Sequence, residues 1–116
     1  MIKLYGIPNC NTVKKARDFL DNKNIAYEFH DFKKSGTERK KLEAWCRAFG
    51  WEKTVNRAGM TWRQLDDKIK TKINDISSAI LLMEEKPSVI KRPIAEVDGK
   101  PVALGFKEEE YRAVFK

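Results

Sequence analysis

The chain opens Met1-Ile2-Lys3-Leu4-Tyr5-Gly6-Ile7-Pro8-Asn9-Cys10-Asn11-Thr12-Val13-Lys14-Lys15. Ile2 to Tyr5 is an apolar run rich in strand formers, Gly6 and Pro8 break it, and Asn9-Cys10-Asn11-Thr12 stands where a helical pattern begins. Cys10 is therefore expected at or next to a helix N-terminus. Unpaired backbone N–H groups and the positive end of the helix dipole converge there and favour a thiolate over a thiol. Lys14 and Lys15 add positive charge one turn on. A thiol in such a strand-to-helix turn is placed like a redox or nucleophilic cysteine.

Outward from this turn, Val13, Ala16, Phe19 and Leu20 share one face and predict a helix over about 11–22. Ile25, Tyr27 and Phe29 then alternate with Ala26, Glu28 and His30, the period of a strand with one buried face. Strand, helix, strand in so short a span is a βαβ unit with two parallel strands. Asp31 to Gly36 reads as loop. From Thr37 to Glu85 the pattern is helical: Leu42, Trp45, Cys46 and Phe49 lie on one face closed by Gly50, and Thr61-Trp62-Arg63-Gln64 matches a capping box leading into Leu65, Ile69 and Ile73. Ile76, Ala79, Ile80 and Met83 follow after an expected cap at Asn74. Pro87 restarts extended structure: Ser88 to Lys91, Pro93 to Val97 and Pro101 to Leu104 read as strands, with a hairpin turn at Asp98-Gly99. Glu108 to Phe115 is a terminal helix, acidic at its start as the dipole favours.

With 116 residues, 41% of them hydrophobic, a single domain with one real core is expected over 1–116. Lys and Arg number 24 against 17 Asp and Glu, a net charge of +7. That excess suits a small anionic substrate or is simply a lysine-rich surface, and its mixed-sign spread without a basic tail argues against a nucleic-acid partner. No signal peptide is evident at Met1 and no apolar run approaches the ~20 residues that cross a bilayer, so a cytoplasmic protein without a membrane partner is expected. Two cysteines and one histidine make a metal site improbable and favour free or reactive thiols.

The order of elements, with a cysteine after the first strand and a proline opening the strand before a hairpin, resembles the thioredoxin fold: a four-stranded mixed sheet with a helical insertion at about 37–86. Leu4 to Ala16, Asn56-Arg57-Ala58-Gly59-Met60-Thr61-Trp62, Ile90-Lys91-Arg92-Pro93-Ile94 and Leu104-Gly105-Phe106 carry this further. In that order they resemble the ArsC-type arsenate reductase family, closest to its YffB-like branch. The resemblance implies a nucleophilic Cys10 that works with glutathione through a mixed disulfide, and Arg92 before a cis-proline, facing the sulfur. A guanidinium there offers parallel N–H donors and a permanent charge to a carboxylate or oxyanion. Arg57 resembles a second family arginine, and Pro93 would leave a backbone edge open to a peptide-like ligand. Asn11, Thr12 and Lys14 complete the candidate glutathione-binding set with Arg57, Arg92 and Pro93.

The family's third arginine falls near Phe106, with only Lys107 adjacent. Arsenate reduction is therefore the alternative to a general glutathione-dependent thiol reductase acting, as a monomer, on a small oxidised thiol or oxyanion. A second alternative is a polymerase-binding redox regulator; such relatives commonly carry Cys-x-x-Cys, and position 13 here is Val13. Cys46, on an apolar helix face, is expected to be a buried inert thiol. His30 is expected to be a surface or hydrogen-bonded strand residue, and Trp45, Trp51 and Trp62 to pack the insertion. Lys14 and Lys15 fit either a helix surface or substrate contact.

Overall fold

Strand β1, Ile2–Gly6, is paired on both edges. A computed structural model describes residues 1–115. In it β1 runs parallel to β2, Tyr27–Asp31, and antiparallel to β3, Ile94–Val97, which pairs antiparallel with β4, Lys100–Leu104. The result is the expected mixed four-stranded sheet, in the order β2-β1-β3-β4. Helix α1, Asn11–Asn22, joins β1 to β2. The fold is α/β and thioredoxin-like, with a helical insertion between β2 and β3. The chain forms two compact units, one of Met1–Ser35 with the segment from Arg92 onward, the other of Gly36–Lys91.

In the first unit the strand period sorts side chains onto two faces. Leu4 and Ala95, with Ile2, Tyr27, Phe29 and Val97 around them, pack against Ala16, Phe19 and Leu20 of α1 and against Tyr111 and Phe115. Tyr111 belongs to the last helix, α8, Glu108–Val114. Burying each such large side chain contributes about 1.5–3 kcal/mol, which makes this apolar face the main source of the unit's stability. Lys3, Tyr5, His30 and Glu96 alternate onto the other face. There the Tyr5 ring lies 5.0 Å from that of His30 and 6.4 Å from that of Phe32, so the half-buried His30 packs its ring against Tyr5. The Tyr5 hydroxyl donates to Glu96 Oε1 at 3.0 Å, and Glu96 is only 1% exposed. The Asp98-Gly99 hairpin forms as expected, with φ of 50° and 82° at its two residues, the left-handed pair a two-residue turn requires.

The stretch after β2 is not a loop. Phe32–Ser35 forms a short helix, α2, because the Asp31 carboxylate accepts the Lys33 N–H at 2.9 Å and Phe32 is buried.

The second unit holds α3, Arg39–Phe49, α4, Trp51–Thr54, α5, Met60–Arg63, α6, Asp67–Lys72, and α7, Ile76–Glu85. Leu42, Trp45 and Cys46 of α3 are buried as expected, and Gly50 ends the helix with φ 88°. The capping box expected at Thr61 does not form. The Thr61 hydroxyl is 2.9 Å from that of Ser88 instead, and α5 starts from Gly59 with no side-chain cap. The helix then breaks at Gln64, and Asp66 caps α6 by accepting the Lys68 N–H. Leu65, Ile69 and Ile73 consequently do not share one helix, and Ile69 is 43% exposed. The box that does form joins Asp75 and Ser78, one residue beyond the expected cap at Asn74. Pro87–Val89 is a single 3₁₀ turn, not a strand, since a proline at the first helical position has its φ already set; only Ile90 bridges, to Val55.

Candidate active site

The site is built where β1 hands over to α1. A Cβ on Gly6 would sit 2.7 Å from Val13 Cγ2, so only glycine lets the strand end this close to the first helical turn. Buried Ile7 anchors the turn, and its carbonyl accepts the Cys10 N–H at 3.2 Å. Cys10 is the N-cap of α1, with an extended backbone, and its carbonyl accepts the Lys14 N–H at 2.9 Å. Both ends of the residue are thus fixed, and the half-buried sulfur stands at the head of the helix.

From the other side, the register that sets Tyr5 opposite Ile94 brings the segment before β3 alongside the end of β1. The Arg92-Pro93 peptide bond is cis, as the resemblance implies, and the Pro93 carbonyl accepts the Gly105 N–H at 2.8 Å. The Arg92 side chain reaches the Cys10 sulfur. Partial burial pushes the Cys10 thiol up, but the Val13 N–H, the Arg92 side chain and the Thr12 N–H together outweigh it, and the thiol is held below its ordinary value. The backbone N–H groups act on the sulfur as oriented dipoles, without closing a full capping hydrogen bond.

The structure therefore brings Cys10, Thr12, Arg92 and Pro93 together. Asn11 and Lys14 lie in the exposed first turn of the same helix. Arg57 belongs to the second unit, where its guanidinium lies 5.9 Å from the Trp51 ring centroid. Cys46, also in that unit, is buried; burial pushes its thiol up, partly offset by a hydrogen bond with Thr54. Phe106 turns its ring onto Tyr111 at 4.8 Å and Phe19 at 5.9 Å, while Lys107 is the exposed N-cap of α8. The close approach of Gly6 to Val13 and the buried Glu96 escaped the sequence reading. An isolated carboxylate within Ile94-Ala95-Glu96-Val97 was the available signal for the second.

Among the described residues no group of three or more His, Cys, Asp or Glu side chains could hold a metal ion, and no helix is long and apolar enough to cross a membrane.

A cysteine at the head of the first helix, facing the residue before a cis-proline, places the chain among thioredoxin-like proteins. Residues 5–114 match the ArsC family, and the chain belongs to it. It is similar to a solved protein named YFFB, 45% identical, with each chain covered in full and a TM-score of 0.93. An arsenate reductase (ArsC) related protein from Brucella melitensis is 43% identical, with a TM-score of 0.77 over 99% of this chain and 94% of that one. The global transcriptional regulator Spx of Streptococcus agalactiae is 30% identical over 97% of this chain and 82% of its own length.

Proposed function

We propose that this protein is a glutathione-dependent thiol–disulfide reductase in which Cys10 is the nucleophile. The observation that carries this reading is the set of groups around the sulfur: the helix N–H groups and the Arg92 side chain together favour the thiolate. The Cys10 thiolate attacks the glutathione sulfur of a mixed disulfide. A Cys10–glutathione disulfide forms, the substrate's sulfur leaves as a thiolate, and a second glutathione thiolate then attacks the bound glutathione sulfur. Oxidised glutathione departs and the Cys10 thiolate is regenerated. Arg92 and Lys14 supply cations for the carboxylates of glutathione, and Asn11, Thr12 and the edge at Pro93 its polar contacts.

With Val13 buried at the position three after Cys10, no neighbouring thiol in the first turn resolves the intermediate, which favours an external thiol. The likeness to Spx supports a second reading, a regulator that binds RNA polymerase, in which Cys10 is a sensor without turnover. Mass spectrometry after incubation with oxidised glutathione tests the first reading. One glutathione adduct on the Cys10 peptide, lost on adding reduced glutathione, is expected. No adduct there, or one confined to Cys46, overturns it. Turnover abolished by Cys10→Ser separates enzyme from sensor.

A further inference from the structure

The two outer strands of the sheet are protected unequally. β4 carries Lys100 and Pro101, a charge and a residue with no N–H to donate, and its pairing with β3 shifts register at Ala95 and Glu96. These are devices by which an edge resists joining another sheet. β2 stands at the opposite end of the order β2-β1-β3-β4 and has neither lysine, proline nor bulge. Among the described residues it pairs with β1 alone, in unbroken register from Tyr27 to Asp31. Beside it a groove of about 390 Å³ is lined by Arg17 and Asp21 of α1 and by Tyr27 and Phe29 of the strand. Arg17 Nε donates to the Tyr27 hydroxyl at 3.1 Å, and the guanidinium carbon lies 4.2 Å from the Phe29 ring centroid. Strand and helix thus already form one half-buried surface that carries both charge signs.

The strand is complementary to itself. When Tyr27-Glu28-Phe29-His30-Asp31 is laid antiparallel to a second copy about its midpoint, Phe29 faces Phe29, Glu28 faces His30 and Tyr27 faces Asp31. Ring meets ring, acid meets base or phenol, and no like charges stand directly opposite. A parallel alignment in register would instead set Glu28 against Glu28 and Asp31 against Asp31. Glu28 is exposed with Lys3 Nζ at 3.9 Å, so the antiparallel joint brings a second base to the same carboxylate. The two-fold axis also turns the second α1 antiparallel to the first, which carries Arg17 of one copy toward Asp21, one turn further on, of the other. We infer that the outer edge of β2 is a dimerisation surface, on which a second copy of this chain adds its own β2 and joins two four-stranded sheets into one of eight strands. Because β1 runs parallel to β2, the two Cys10 sites, each following its β1, lie toward opposite ends of the joint. The inference does not rest on the glutathione reading. It departs from the monomer expected from the sequence, because strand order, and hence which edge lies open, is not written in local periodicity.

Analytical ultracentrifugation of the full chain under reducing conditions, which exclude a Cys10 disulfide between copies, tests this. The mass should rise from 13.5 kDa toward twice that value as the concentration is raised from about 10 μM to about 1 mM. Glu28→Lys, at an exposed position, places a second base opposite His30, and Asp21→Arg, also exposed, faces Arg17 with a like charge. Each should weaken association about tenfold or more. Thermal unfolding at the low end of the concentration range, where the wild type is a monomer, separates lost association from lost folding. Amide NMR locates the surface: concentration-dependent shifts are expected at Tyr27 to Asp31 and not at Lys100 to Leu104. A mass that stays at 13.5 kDa throughout, association undiminished by either substitution, or shifts confined to β4 or to the helical insertion overturns the inference.

Discussion

The Arg92 side chain meets the sulfur of Cys10, joining the residue before β3 to the cap of α1. Because the thiolate is the reactive form, the rate should rise with pH as Cys10 ionises and level off above that point. With the thiol held below its ordinary value, the rise is expected at lower pH than for an unperturbed cysteine thiol. Arg92→Gln should move it to higher pH and lower kcat/KM roughly tenfold or more, as expected for loss of a charge-assisted bond. The sign for stability follows from the same shift. A depressed folded-state pKa stabilises the fold fully above the unfolded value, and that contribution is lost as pH falls through the folded one. Thiolate absorbance against pH, on a Cys46→Ala background, reads the midpoint directly; an unchanged midpoint in Arg92→Gln would remove Arg92 from the site.

Gly6 offers an independent handle on the same sulfur. An added methyl group would meet Val13 Cγ2 at 2.7 Å and Cγ1 at 3.3 Å, and Val13 is itself fully buried. Relief requires the first turn of α1 to move away from β1, taking the Val13 and Thr12 N–H groups with it. Gly6→Ala should therefore destabilise the protein by about 1–3 kcal/mol, the usual cost of overpacking, and also raise the Cys10 midpoint. Urea unfolding and the thiol titration measure the two effects. A destabilised variant with an unshifted thiol would show that the turn is not coupled to the sulfur.

On the opposite sheet face, Tyr5→Phe removes the hydroxyl that donates to Glu96 Oε1. The carboxylate stays buried with one donor fewer. The expected loss is about 1–3 kcal/mol, since the cost is that of an under-satisfied buried acceptor and not merely of one bond. Tyr5→Phe combined with Glu96→Gln should recover part of it, because the amide brings N–H donors of its own to a site that has lost one. Equilibrium denaturation of the single and double variants checks this; strictly additive losses would mean that the two side chains are not coupled.

Why the sequence revealed some of this and not the rest is a matter of range. α1, the Asp98-Gly99 turn and α3 up to Gly50 were legible because periodicity, left-handed turn residues and a terminal glycine act within a few residues. The Thr61 capping box failed because Ser88, remote in sequence, engages the hydroxyl the pattern had reserved for the backbone. The Asp66 cap that splits α5 from α6 was masked by apolar residues continuing at helical spacing on both sides. At the site, Cys10 could be placed from its own neighbourhood. Arg92 could not, since its approach to the sulfur depends on β3 entering the sheet beside β1; only the family resemblance pointed to it.

The last prediction turns on Phe106. Where the resemblance leads one to expect a third arginine, this ring is packed edge-on to Tyr111 and tilted against Phe19, and Lys107 follows as the exposed cap of α8. A lysine supplies a point charge, whereas a guanidinium supplies two directed donors. A compact oxyanion needs several rigid donors at once, and each charge-assisted bond lost costs roughly 1.5–3 kcal/mol, about tenfold to over a hundredfold in rate if it acts in the transition state. On the proposed reading, reduction of a glutathione disulfide would depend less on that edge, because Cys10 would take the sulfur and the carboxylates have other cations to meet. Weak or absent arsenate reduction is therefore expected alongside measurable glutathione-dependent disulfide reduction. Phe106→Arg should raise the first activity relative to the second if its side chain reaches the site. Steady-state assays of both substrates, with Cys10→Ser protein as the blank, decide the matter. Efficient arsenate turnover by the wild type, lost in the blank, would show that Lys107 or another group replaces the missing guanidinium.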